Sequence, residues 1–216
     1  MIKIGKNLSE WSSYSCQPKT KEELEKIIEK RIFKEGPNCD LNDIDVSLIM
    51  DMSYLFYYSR FNGDISKWDV SNTKNMSHMF HLSKFNKDIS GWNVSNVIDM
   101  SELFAYSYFD GDISRWDVSS VKNMSCMFED SKFNGDISKW NVSNVETMNG
   151  MFFASDFNGD ISKWNVYNVK YMYCMFESSK FNHDISNWKI NINCNINDMF
   201  SDCSIKDEFK PKSLQI

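Results

Sequence analysis

Three prolines and eight glycines in 216 residues are too few for a collagenous or Pro-rich chain. No stretch approaches the roughly 18 uninterrupted apolar residues of a membrane-spanning helix. The opening MIKIGKNLSEWSSYSC has no apolar run of the kind found in a secretory leader, nor one before Cys16 as in a lipoprotein signal, so a cytoplasmic location is expected. Neither sign of charge dominates: 24 basic and 30 acidic residues leave a net charge of -6, without the basic domain that direct nucleic-acid binding needs. The six cysteines form no C-x-x-C, and His78, His81 and His183 do not cluster with them, so neither a metal nor another cofactor is expected. No Ser-His-Asp, Cys-His or H-E-x-x-H arrangement and no Gly-rich phosphate loop occurs, which argues against an enzyme.

What the chain has in excess is aromatic side chains, with 16 Phe, 9 Tyr and 7 Trp. They are periodic. Trp68, Trp92, Trp116, Trp140, Trp164 and Trp188 stand 24 residues apart. Two Phe columns keep the same period, one from Phe56 to Phe200 and one from Phe61 to Phe181. The unit reads F-N-G-D-I-S-K-W-(D/N)-V-S-N-V-x-N-M-S-x-M-F, and seven units begin near residues 37, 61, 85, 109, 133, 157 and 181. A unit this short cannot bury its own apolar face, so the units must stack into a solenoid around one shared core. Ile65, Trp68 and Val70 suit a short β-strand, and residue 73, Met76, Met79 and Phe80 have the spacing of a short helical turn. One strand and one helical turn per coil predicts a leucine-rich-repeat-like solenoid.

The units FNGDISKWDVSNTKNMSHMF and FNGDISKWNVSNVETMNGMF resemble the short repeats of the BspA-like leucine-rich-repeat surface-protein family across about residues 37–204. The resemblance implies a leucine-rich-repeat-like solenoid. Many members of that family are secreted adhesins, so a secreted adhesin-type repeat protein is one functional expectation.

Outside the repeats, Thr20-Lys21-Glu22-Glu23 is a capping box followed by Leu24, Ile27, Ile28 and Ile32 at helical spacing, which predicts a helix over about residues 21–34. Residues 1–36 thus form an N-terminal segment with a helix that caps the first coil, 37–204 the seven-repeat solenoid, and 205–216 a short tail, either poorly ordered or laid over the last coil. Cys126 and Cys174 share a column two coils apart, roughly 10 Å at the usual strand spacing and too far for a disulfide. Cys194 and Cys203 are the one pair whose approach is worth checking.

Most recurring polar positions read as structural. The Asp column from Asp40 to Asp184 lacks the Gly-rich frame of calcium-binding coils, and an Asp after Asn-Gly accepts backbone N–H bonds in its turn. The Trp column reads as core rather than as a stacking platform for sugars or bases. Function must therefore be sought where the pattern breaks. Off-pattern residues include His78, His81, Glu102, Glu129 and the aromatic set Tyr57, Tyr58, Tyr106, Tyr108, Phe153, Tyr167, Tyr171 and Tyr173. The aromatic set is the candidate protein-binding surface, since Tyr gives large contact area with little entropy lost. Lys67, Arg115, Lys139 and Lys163 form a second stripe beside the Trp column, suited to an anionic partner or else a solvated edge that discourages aggregation. These features predict a non-enzymatic protein-binding module, with a protein partner and no nucleic acid or membrane. The alternative is a phage- or mobile-element-encoded inhibitor of a host nucleic-acid-targeting defence enzyme, acting by protein binding through its acidic residues.

Overall fold

The computed structural model describes residues 14–214; residues 1–13, most of the segment read for a leader, lie outside the described residues, as do the last two positions. An α-helix, α1, spans Lys21–Glu35. The Thr20 side chain accepts the Glu23 N–H at 3.2 Å, and the Glu23 carboxylate reaches back to the Lys19 N–H at 2.8 Å, so two otherwise orphaned donors are satisfied. The helix stops at Gly36, whose φ of +90° suits glycine and whose N–H bonds to the Ile32 carbonyl. Leu24 and Ile28 are buried and join the main core, while Phe33 on the opposite side is 94% exposed. No helix among the described residues is long and apolar enough to cross a membrane.

After α1 the chain winds into stacked 24-residue coils. Single parallel bridges join Asp51, Asn75, Asp99, Asn123, Thr147, Tyr171 and Asn195 in one continuous row, so every coil lies in register with the next. The backbone beyond each bridge follows an unusual path. The N–H groups of Met76, His78, Phe80 and Leu82 donate to Asp99, Ser101, Leu103 and Ala105 of the next coil at 2.9–3.0 Å. The intervening N–H groups of Met79, His81 and Ser83 turn back to Met76, His78 and Phe80 of their own coil. Half of the donors thus stitch coils together and half close local turns.

This pattern corrects the expected strand plus helical turn. The Met76-Met79-Phe80 stripe is not helical, because residue 78 has a φ of +56° and residue 82 of +55°, the left-handed region that a right-handed helix excludes. The same two columns are left-handed in other coils, from Tyr54 and Tyr58 to Asp198 and Asp202. None of the non-glycine occupants is β-branched, in keeping with the steric cost of that region. Nor is Ile65–Val70 a strand: Trp68 N–H closes a turn onto Ile65, and the bridging position falls later, at Asn75. Among the described residues the coils hold isolated bridges and turns, with no extended strand.

The core is aromatic and repeats by column. The Phe rings from Phe56 to Phe181 in the two columns are essentially inaccessible to solvent. Where one unit runs into the next, Phe80 stacks on Phe85 at 4.3 Å; a full repeat apart, Phe80 stacks on Phe104 at 5.7 Å, and Trp68 on Trp92 at 6.4 Å. Each such pair contributes about 0.5–1.5 kcal/mol beyond its area burial. The buried indole N–H groups also bridge coils: Trp92 donates to the Ile65 carbonyl and Trp116 to Ile89, and the same 27-residue offset recurs to Trp188. At Gly63 a Cβ would meet the Cys39 carbonyl oxygen at 1.9 Å, so that turn has room only for glycine.

The C-terminal segment closes the other end of the stack instead of forming a loose tail. Two 3₁₀ turns, Asp207–Phe209 and Lys212–Leu214, carry it across the last coil. Ile185 N–H donates to Phe209, Lys212 N–H donates to Ser186, and Pro211 is buried.

Candidate functional site

The columns that read as structural in the sequence serve the backbone. Asp64, Asp88, Asp112, Asp136, Asp160 and Asp184 each accept the N–H of the serine two residues on, at 2.8–2.9 Å. These bonds hold the carboxyls below the usual carboxylate range. The Asn62, Asn86, Asp110, Asn134 and Asn158 side chains each accept a backbone N–H from the following coil, forming a second ladder.

All six cysteines are free. Cys194 and Cys203 do not pair: Cys194 Sγ is turned to the Asn195 carbonyl and Cys203 Sγ to Phe181 and Ser179. Burial pushes Cys174 and Cys194 up to about 11, and raises Cys126 further, with Glu129 adding to the shift. These thiols are poor nucleophiles at neutral pH.

The basic stripe lies beside the Asp ladder. Lys67, Arg115, Lys139 and Lys163 are exposed, but Asp64, Asp112, Asp136 and Asp160 stand three residues before them and feel their charges. Gly91 interrupts the row between Lys67 and Arg115. The face is thus one of mixed sign. Elsewhere, charges alternate from coil to coil: Lys122 and Lys170 flank Glu146, and Lys132 and Lys180 flank Asp156.

The eight aromatic candidates fall into two regions of the repeat. Tyr57, Tyr58, Tyr106, Tyr108 and Phe153 lie in the columns of residues 81, 82 and 84, close to the left-handed turns. Several are engaged by other side chains. Tyr57 stacks on His81 at 5.1 Å, and Tyr54 on His78 at 4.3 Å. Tyr106 packs against His81 and donates its hydroxyl to Glu129, which pushes the phenol up to about 12. Lys84 sits over the Tyr108 ring at 3.9 Å. Tyr58 is 74% exposed, and Phe153 is half-buried.

Between these rings lies a group that the sequence reading left unassembled. His78 and His81 are three residues apart on one turn, and Glu102 occupies the column of His78 in the next coil. The Nδ1 atoms of the two imidazoles stand 3.2 and 3.0 Å from Glu102 Oε2. Both nitrogens are buried, and they share this one carboxylate oxygen. Burial pushes the His81 pKa down and outweighs the pull of Glu102, favouring the neutral ring. The signal was present as two off-pattern histidines at i and i+3 with a glutamate at i+24, but only the register between coils brings the three together.

The second region is a single coil. Tyr167, Tyr171 and Tyr173 are 54%, 51% and 45% exposed, and among the described residues none of their rings or hydroxyls is engaged by another side chain. Tyr171 replaces the Asn or Asp that in most coils accepts the N–H two residues on, as Asn75 does for Ser77. The Tyr173 N–H instead bonds to Asn149 Oδ1 of the preceding coil at 3.2 Å, and Asn149 stands where the earlier coils carry Ser53, Ser77, Ser101 and Ser125. One departure from the repeat is compensated by another, so the tyrosine is accommodated without an orphaned donor. Tyr167 also borders a shallow depression of about 300 Å³ with Lys170, Asn191, Asn193 and Cys194.

Stacked coils of fixed length, sharing one aromatic core and capped at both ends, define a repeat protein. The family described as "Mycoplasma protein of unknown function, DUF285" matches residues 29–132 and again 100–210, and the chain belongs to this family. No curated protein and no solved structure matches it.

Proposed function

We propose that the chain is a non-enzymatic protein-binding module of the BspA-like, leucine-rich-repeat-related solenoid type, and that the coil of residues 157–180 carries its contact surface. The supporting observation is the exposed trio Tyr167, Tyr171 and Tyr173, whose rings and hydroxyls no other side chain engages among the described residues, on a coil whose Tyr173 N–H is satisfied from the preceding coil. Tyrosines held on a rigid scaffold lose little entropy on binding, which makes them favoured anchors. The basic stripe is a weaker candidate because the Asp ladder offsets it.

The test restores the repeat. A Tyr167→Ser/Tyr171→Asn/Tyr173→Ser variant gives this coil the residues of an earlier one, Ser71, Asn75 and Ser77. Partners captured from a host lysate by the wild-type protein are identified by mass spectrometry, purified, and measured against both forms. A loss of at least about tenfold in affinity with unchanged thermal stability is expected. Equal affinity would remove the site from this coil.

A further inference from the structure

The geometry points to a binding site for a divalent first-row transition metal ion, zinc foremost, formed by His78 Nδ1, His81 Nδ1 and a carboxylate oxygen of Glu102. One donor atom from each of the three residues lies within 4.8 Å of the other two. A tetrahedral zinc with bonds of about 2.0–2.2 Å has its donors roughly 3.3 Å apart. Two of the three separations, 3.2 and 3.0 Å, already approach that value.

Both nitrogens are buried and converge on the same carboxylate oxygen, 3.2 and 3.0 Å away, so one oxygen faces two imidazoles at once. His81 as a whole is only 8% exposed, so water does not readily compensate its ring. The surroundings hold the ligands in place. Tyr54 lies nearly parallel to His78, at 12°, and Tyr57 lies over His81. The backbone fixes the rest: His81 N–H bonds to the His78 carbonyl, and His78 N–H bonds to Ser101, the residue before Glu102. One local turn and one coil-to-coil step thus present all three donors without any loop having to order.

Two imidazoles and one carboxylate suit zinc better than calcium or magnesium, which take oxygen ligands. Three protein donors leave a fourth position for water or for an atom of a partner. The ion would tie the coil of residues 61–84 to the next one.

The full-length protein, stripped with a chelator, is titrated with zinc chloride by calorimetry and with cobalt(II) chloride by visible absorption. One equivalent of zinc, a four-coordinate cobalt spectrum, and a rise in Tm of about 5 °C or more at a hundredfold excess of zinc over Kd are expected. Glu102→Gln should weaken zinc at least about tenfold, and His78→Ala should do the same. Circular dichroism of the metal-free variants confirms that each is folded, and Glu102→Gln, on a partly exposed side chain, is the less disruptive of the two. His183→Ala, which removes the third histidine, should leave binding unchanged. Absence of zinc uptake by the wild-type protein at millimolar metal overturns the site, as does uptake that survives in both Glu102→Gln and His78→Ala or is lost in His183→Ala.

Discussion

The coils near the start of the stack and the coil of residues 157–180 both depart from the repeat, and they do so in opposite ways. In the first, off-pattern side chains turn toward one another: Tyr54 covers His78, Tyr57 covers His81, Tyr106 holds Glu129, and Glu102 sits against both imidazoles. In the second, Tyr167, Tyr171 and Tyr173 stand half-exposed with no side-chain partner among the described residues, and only the backbone has adjusted, through Asn149. The core beneath is the same in both, two Phe columns and a Trp column. A substitution in a repeat therefore carries meaning through what it touches. The two proposals follow this division: a small ligand for the side chains that face one another, and a macromolecule for those that face out.

The largest effect should come from breaking the shared core between the two regions. Phe128 is fully buried and stacks on Phe104, Phe133 and Phe152. Phe128→Ala should cost about 3–5 kcal/mol. Because each coil contacts mainly its neighbours, the two ends should then open separately in hydrogen exchange. Uniform loss of protection along the chain would show that the stack behaves as one unit and that the contrast between its regions is only skin-deep.

A direct comparison of the two aromatic sets gives a smaller number. Tyr54→Ala with Tyr57→Ala removes two stacked contacts and should cost about 1–2 kcal/mol in denaturant unfolding. Tyr171→Ala with Tyr173→Ala should stay within about 0.5 kcal/mol, because among the described residues no ring contact or side-chain hydrogen bond holds those partly exposed side chains. Equal costs would contradict the division into engaged and unengaged residues.

The repeat register was legible in the sequence because period and burial are the same information: the Trp and Phe columns are the core. The helix start was also legible, since Thr20 and Glu23 act locally. The path of the backbone was not. Met76, Met79 and Phe80 have helical spacing, yet the turns at 78 and 82 are left-handed and are fixed by bonds to residues 23 positions away. No local pattern reports such bonds, and the usual marker is sparse: Tyr, His, Leu, Glu, Cys, Ala and Ser hold most of these positions, with Asp at 130, 198 and 202 and glycine only at Gly150. The metal-ligand candidates were hidden for a related reason. His78 and His81 were visible as departures from the pattern, but their partner lies a full coil away, and a search for thiols beside histidines passes over a glutamate.

The smallest effect concerns a feature that runs past both regions and should not distinguish them. Asp136 is held below the usual carboxylate range by its bonds to Ser138. A carboxyl whose folded pKa is depressed binds fewer protons than its unfolded counterpart, so its stabilising contribution is complete above the unfolded value of about 3.9 and is lost as pH falls through the lower folded value. Asp136→Asn keeps the oxygen that accepts the Ser138 N–H but cannot titrate. The difference in Tm between the two proteins should thus be small and constant from pH 7 to 5, and should narrow below about pH 4 as the wild-type carboxyl takes up its proton. Asp88→Asn and Asp160→Asn, made near the engaged and the exposed regions in turn, should show the same narrowing at the same pH, because the serine bonds that set the shift recur in each coil. If one of the two departed from that midpoint, the ladder would itself sense its neighbourhood, and the separation between a uniform scaffold and its off-pattern sites would have to be redrawn to include the turn carboxylates.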